Sequence, residues 1–534
     1  KNNILQKLLI FYFISTFSII SLFVIFFLSS YTVKKKTDQV LEYLSKAGRI
    51  EYINIFEIIF RGMQSKFMKF DKIELDIDFE EILKIEKDRA LALKRGTLGI
   101  NDNLSMVDAI LKHNGKKLNA RIRLKGGRKM HWEEKKTSSY NFYLEDDQYL
   151  MGMSTFTIHK PGARNYIHEW IFHEMMGDFG LIKLNYHFFH LFINGENHGL
   201  YVLEEKLSKE IVERNQRRNG PIFTSVNFIN SRDDISALKI YKDKYWSRPE
   251  NIELAKIATN KLSNFLKGER ELEDTFNLDK LAAWLAIMDA TYTLHSLPFN
   301  SKLYYNPVDG LFEPIPRDGH RTLPNYHKIN KNYYRGLIID SLNEPESFAK
   351  HGVNIQITEG RWFWINKFFN KDGNLNKNFY NKYLNYLNKI SEKNYYENFL
   401  KKRKKQIYKI NSNIYGDISF YSTTRDYGSG IYYFSENDLK NRFEYIQNRL
   451  QTLDKSFFVR LRQKNKLEIR VAYPFYNDPL RRTKLTNITL DSILCLNNKK
   501  LNINKQLNLG LYTFIDLSEK LLGNKLGLSN IPIA

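Results

Sequence analysis

The pattern of apolar positions changes period several times along the chain. Leu8–Val33 carries no charged side chain over 26 residues, with Tyr12 and Tyr31 near its ends. A helix needs ~20 residues to cross the hydrocarbon core of a bilayer, so this stretch predicts a transmembrane helix. Thr37–Phe70 places Ile55, Phe56, Ile59 and Phe60 at helical spacing. Asp71–Phe79 alternates apolar and acidic residues, as an edge strand does, and Glu80–Arg95 reads as a charged helix. From Leu118 the period shortens to two. Ala120, Ile122 and Leu124 alternate with Arg121, Arg123 and Lys125, giving one apolar and one basic face. Gly126-Gly127 breaks this strand, and Ser139–Leu144 and Ser154–Lys160 are the next two.

Helical spacing returns at Asn165–Phe179, through Ile167, Ile171 and Met175, and ends near Gly180. His187–Ile193 and His198–Leu203 flank Asn194-Gly195, a strong two-residue hairpin signal. Glu204-Glu205-Lys206 then leads into a polar helix, and Leu278–Tyr292 puts Leu278, Leu281, Leu285 and Met288 on one stripe of an amphipathic helix. Next, a polar loop ends at Asn300, Ser301–Tyr305 and Leu311–Pro316 form a strand pair about the turn Asn306–Gly310, and Asp318-Gly319 follows. Residues 340–455 are mostly helical in pattern, whereas Phe457–Leu461, Leu467–Val471 and Ile488–Leu496 read as strands.

The order of these parts carries chemistry. An Asn and an Asp brought together by a strand pair suit a hard divalent cation carrying phosphate oxygens; the plain alternative is a hairpin whose Asn and Asp shape turns. Backbone N–H groups around Gly126 and Gly127 can approach phosphates closely because no Cβ intervenes, although Gly-Gly alone is also an ordinary turn. Lys160 ends an apolar strand face and needs a partner. Glu169 on the following helix is the natural one, with Glu174 the alternative, since five residues of helix turn through about 140° and both cannot face one lysine. Arg164 precedes that helix and either contacts phosphate from its N-terminus or makes a surface ion pair. Glycine loop, strand-end lysine, helix glutamate, hairpin, acidic connection at Glu204 and Glu205, helical region, then Asn300 and Asp318: this is the sequence of parts in a kinase-type phosphotransferase.

Composition and charge placement change the picture further. A formal net charge of +23 favours anionic partners. Lys, Asn and Ile are abundant throughout, however, and Lys401–Lys405 is a solvated or membrane-facing run on a helix rather than a nucleic-acid site, so no nucleic-acid partner is expected. The single cysteine, Cys495, excludes an intrachain disulfide framework and a cysteine-based zinc site. The pairs His168/His173 and His187/His190 lack zinc-site spacing. Lys1 and Lys7 precede the apolar stretch and Lys34, Lys35 and Lys36 follow it, so the positive-inside rule leans towards a cytoplasmic bulk behind a single-pass anchor.

Four segments carry a family resemblance: RIRLKGG (Arg121–Gly127), HKPGARNYIHEWIFHEMMGDFGL (His159–Leu181), LFINGENHGLYVLEEKL (Leu191–Leu207) and FNSKLYYNPVDGLFEPIPRDG (Phe299–Gly319). They resemble the CotH kinase family, the spore-coat-type atypical protein kinases, in a membrane-anchored bacterial branch. The NGExxGLY hairpin, here Asn194, Gly195, Glu196, Gly199, Leu200 and Tyr201, is the most specific of them. The resemblance implies transfer of the ATP γ-phosphate to a protein Ser or Thr with Mg²⁺. It implies metal held by Asn300 and Asp318, and nucleotide positioned by Lys160 and Glu169 with Lys125, Gly126, Gly127, Arg164, Glu204 and Glu205 around it. The expected architecture is α+β, an atypical two-lobed protein-kinase-like fold over residues 71–455. It is preceded by the segment and transmembrane helix at 1–33 and a juxtamembrane helix at 34–70, and followed by a small β-rich C-terminal domain at 456–534. One departure stands out: His295 occupies the position where most of the family has the catalytic Asp. A histidine accepts a hydroxyl proton near neutral pH. The alternatives are a branch that phosphorylates a small-molecule or glycan acceptor, and an inactive pseudokinase or envelope scaffold that binds nucleotide without turnover.

Overall fold

The computed structural model describes residues 63–98, 103–133, 135–145, 147–225, 238–291, 293, 296–297, 302–319, 338, 364–371, 374–417 and 436–452. It also describes 12–13, 15–18 and 20–21 and short strands between 457 and 516. The strands β1 (Lys72–Asp76), β2 (Val107–His113), β3 (Lys116–Leu124), β4 (Tyr140–Leu144), β5 (Thr155–His159), β6 (Tyr186–Ile193) and β7 (Glu196–Glu205) close into a barrel in the order β1-β2-β3-β4-β5-β7-β6. The alternation seen in the sequence is the inside–outside alternation of this wall. Ile73, Leu75, Ile122, Leu124, Phe142, Phe156, Ile158, Leu191 and Leu203 fill the interior.

Closure depends on β1. It pairs antiparallel with β2 and parallel with β6, where Ile73 opposes Leu191 and Leu75 opposes Ile193. Asp71–Phe79 is therefore the closing strand rather than the edge its alternation suggests. Asn194 of the hairpin locks it, accepting from Ile77 N at 2.8 Å and donating to Ile77 O at 2.7 Å. Helix α1 (Phe79–Arg95) follows β1 and ends at Gly96 in the left-handed region, φ 76°.

The outer faces of β6 and β7 are apolar in part, and they are covered by helices. Tyr186, Phe188, Leu200 and Val202 join a second core with α2 (His168–Asp178), α3 (Ile252–Lys267), α4 (Leu278–Thr291), α5 (Lys377–Ser391), α6 (Lys393–Asp417) and α7 (Glu436–Thr452). Helix α4 was expected to be amphipathic, yet every residue from Leu281 to Thr291 is buried. Ala282, Ala283, Ala286 and Ala290 leave room for neighbours on all sides, so this is the central helix. A second sheet, β11-β10-β8-β9, of β8 (Ile222–Ser225), β9 (Leu238–Ile240), β10 (Lys302–Asn306) and β11 (Leu311–Ile315), adds Leu303, Tyr305 and Phe312 to the same core.

One part of the expected architecture is overturned, and another falls mostly outside the described residues. The two-lobed protein-kinase-like α+β arrangement is replaced by a mixed α/β structure around a closed barrel, because β1 finds β6 and leaves the wall without a free edge. Among the described residues no helix is long and apolar enough to cross a membrane; most of Leu8–Val33 lies outside them. Near the C-terminus the strands at Phe457–Gln463 and Lys466–Val471 pair antiparallel.

Candidate functional site

The polar half of the barrel's outer wall is where chemistry collects. Register carries a row of outward side chains across four strands: Arg123 opposes Asn141, Asn141 opposes Thr157, and Thr157 opposes Glu204. Lys125 lies just beyond β3 and keeps the outward phase of Arg121 and Arg123. Its Nζ donates to Thr157 Oγ1 at 2.9 Å and to Glu204 Oε2 at 3.4 Å.

Glu204 is the hub. It is fully buried, and both carboxylate oxygens are engaged. Arg317 Nη2 reaches Oε1 at 2.9 Å, while His159 Nε2 at 3.2 Å and Arg164 Nε at 3.9 Å share Oε2 with Lys125. Burial alone would push this carboxyl up, but Lys125, Arg164, the His159 bond and Arg317 outweigh it and hold Glu204 well below the usual carboxylate range. Burial has the opposite outcome for the lysine and brings Lys125 down to about 8, although Glu204 pulls the other way.

Arg164 extends the cluster to Asp318 through Nη2–Oδ1 at 2.5 Å. Burial would lower the guanidinium pKa, but Asp318, Glu204 and Glu169 raise it, so the cation persists. Asp318 stands at φ 52°, in the left-handed region. Gly319 presses on α2, where a Cβ would come within 2.0 Å of Phe172 Cδ1. Lys302, at the start of β10, is brought to about 8 by burial and by Arg317, against the pull of Asp318. Among the described residues, Lys125, Arg164, Arg317 and Lys302 thus gather around Glu204 and Asp318, with Glu169 also acting on Arg164.

Not all of the expected residues meet here. Lys125, Arg164, Glu204 and Asp318 come together. Gly126 and Gly127 follow Lys125 and brace its turn. Gly126 O accepts from Trp132 Nε1 at 2.8 Å, Gly127 O accepts from Thr97 Oγ1 at 3.0 Å, and a Cβ on Gly126 would stand 2.3 Å from the His131 ring. The expected Lys160–Glu169 pair is not formed. Lys160 bonds Asp417 Oδ2 at 3.0 Å and His198 O at 2.8 Å, whereas Glu169 Oε1 meets His173 Nε2 at 3.2 Å. Glu169 Oε2 and the Tyr186 hydroxyl are buried without a hydrogen-bond partner among the described residues, and both lie close enough to Arg164 to act on its charge. Glu205 alternates away from Glu204 and is bound by Arg214 and by Asn185 N at 2.8 Å. His295 and Asn300 lie outside the described residues. The residues flanking that loop do converge on Asp318-Gly319: Thr293 Oγ1 donates to Gly319 O at 3.2 Å, and Lys302 opposes Ile315.

Arg317, His159 and Lys302 were not anticipated. Arg317 and His159 adjoin expected residues, Asp318 and Lys160, and Lys302 stands two positions after Asn300; the outward phase shared by Thr157 and His159 on β5 was the available signal.

A family model described as CotH kinase protein matches residues 122–453, more than half of the chain. The chain belongs to the CotH kinase family. The match starts inside β3 and ends just past α7, so the closing strand β1 and its partner β2 precede it. All four cations and both carboxylates of the cluster fall within the matched span. No curated protein matches the chain. Three residues of the Asn194–Tyr201 hairpin have structural jobs: Asn194 clamps Ile77, Gly199 admits Asp417, and Tyr201 donates to Ser138 O at 3.0 Å.

Proposed function

We propose that this CotH kinase binds ATP with Mg²⁺ on the polar wall of the barrel and transfers the γ-phosphate to a Ser or Thr hydroxyl of a protein. The observation that carries this is the gathering of four cations around Glu204 and Asp318: the partly buried Lys125 and Arg164, with Arg317 and Lys302, suit a polyphosphate. Glu204 spaces and orients these cations. A magnesium ion takes one or two carboxylates and completes its shell with phosphate oxygens and water. Asp318, with Asn300, fits that demand, even though among the described residues no group of three or more His, Cys, Asp or Glu forms a metal cage. Bound there, the cation would neutralise charge on the transferring group. His295 has the role of base for the acceptor hydroxyl. The second reading, nucleotide binding without turnover, is favoured by the same histidine, since it stands where the family resemblance calls for Asp.

The test is transfer of label from ATP by the full chain with Mg²⁺, with and without extract proteins, alongside calorimetry of Mg·ATP binding. Asp318→Asn is the informative variant, because asparagine tolerates the left-handed backbone but removes the charge. Affinity should fall about 10–100-fold, as for a lost bond to a charged group, with unfolding behaviour retained. Unchanged affinity would remove Asp318 from the metal site. Binding without transfer to any acceptor would select the inactive reading.

A further inference from the structure

Lys160 is tied to a residue 257 positions away, and this contact has no place in the phosphate cluster. Asp417 is the last residue of α6. Its Oδ1 accepts from Leu200 N at 2.8 Å and its Oδ2 from Lys160 Nζ at 3.0 Å. The carboxylate sits against Gly199, which has φ 80°; a Cβ there would lie 1.9 Å from Asp417 Oδ1 and 3.1 Å from Lys160 Nζ. Lys160 Nζ also lies 4.9 Å from the centre of the Tyr201 ring. One carboxylate thus joins β7, the end of β5 and the end of α6.

An acidic side chain at a helix C-terminus faces the negative end of the macrodipole, so this position disfavours aspartate unless partners are supplied. Lys160 and Leu200 N supply them. The rest of α6 is fixed independently. Asn413 bonds His190 at 3.0 Å and Met68 O at 2.7 Å, and Arg403 bonds Glu174 at 2.9 Å and Asp178 at 2.7 Å on α2. Asp417 therefore adds little to docking the helix that these contacts do not already provide.

What it does add lies on the other side of Lys160. The Lys160 carbonyl accepts from Ala163 N at 3.0 Å and meets His159 Nδ1 at 2.9 Å. The turn Pro161–Arg164 follows directly. His159 and Arg164, the two ends of this short segment, both reach Glu204. We infer that Asp417 is a positioning residue: by holding Lys160 against Gly199 it sets how His159 and Arg164 meet Glu204, and so how the cluster faces phosphate. This rests on the ATP-binding reading for its ligand but not for its mechanics.

The experiment uses the full chain carrying Asp417→Ala, with Asp417→Asn as the milder variant that keeps an acceptor for Leu200 N. Three quantities are read: Mg·ATP affinity, hydrogen exchange over residues 158–166, and thermal unfolding. In Asp417→Ala, exchange should rise over 158–166 and stay unchanged in β6, and affinity should fall about tenfold, as for one lost charge-assisted bond. Asp417→Asn should fall between it and wild type, and should carry the test if the alanine variant does not fold. Unchanged exchange over 158–166 in a folded variant overturns the inference, as does a loss of affinity that only follows global unfolding. If wild type binds no ATP, the proposed function fails, and exchange over 158–166 still decides the role of Asp417.

Discussion

Glu204→Ala is expected to destabilise the protein by about 3–5 kcal/mol, the range for removing one partner from a buried ion cluster. The size follows from what remains. Glu204 has no exposed surface, and its oxygens are shared among Lys125, His159, Arg164 and Arg317. Without it, Arg164 keeps Asp318 at 2.5 Å, while Lys125 is left partly buried beside Arg164 and Arg317. Glu204→Gln should cost less, because it keeps an acceptor for Arg317, but it too loses the charge. Adding Lys125→Met to Glu204→Ala should recover part of the loss, since it removes a cation that has lost its nearest counter-charge. Urea unfolding of the two single variants and the double variant measures this coupling. The pH dependence has a fixed sign. Glu204 is held well below its ordinary value of 4.5, so its contribution is fully present above that pH and lost as the pH falls towards the folded-state value. A cost below about 1 kcal/mol for Glu204→Ala, the scale of an exposed ion pair, would mean that the cluster does not act as a unit.

The strands of the wall were legible because their alternation is local. Ala120, Ile122 and Leu124 against Arg121, Arg123 and Lys125 stated both the period and the sidedness of β3, and Asn194-Gly195 stated its hairpin. Barrel closure was not legible. It depends on parallel pairing of Lys72–Leu75 with His190–Ile193, and the same alternation serves an edge strand equally well. Helix α4 misled for a related reason: its Leu stripe is real, but alanines on the other faces are silent about whether a neighbour covers them. At the site, neighbours in sequence were found and neighbours across the fold were not. Arg164, Glu204 and Asp318 were singled out from their places in the order of elements. The expected Lys160–Glu169 pair does not form, because Lys160 turns towards α6, and the lysine that joins the cluster is Lys125, which meets Glu204 across the wall. Nothing near Lys160 announces a partner at residue 417.

Mg·ATP affinity should hold steady from about pH 6.5 to 7.5 and fall above about pH 8. Lys125 and Lys302 are both brought to about 8 by burial, far below the ~10.4 of a free lysine, and only their protonated forms attract phosphate. Bound phosphate stabilises the charged form, so above pH 8 binding takes up protons. Linkage then limits the fall to about tenfold per pH unit for each lysine involved. Lys125→Met should lower affinity about 10–100-fold at pH 7, the scale of a hydrogen bond to a charged group, and should make the alkaline fall shallower, leaving the part due to Lys302. Methionine keeps most of the stem's volume, so packing beside Thr157 is little disturbed. Calorimetry at constant ionic strength, with circular dichroism at each pH to verify folding, gives the profile. An affinity that stays flat to pH 9.5 in the folded wild type would remove both lysines from the phosphate site. A profile that bends equally in Lys125→Met would assign the titration to Lys302 alone.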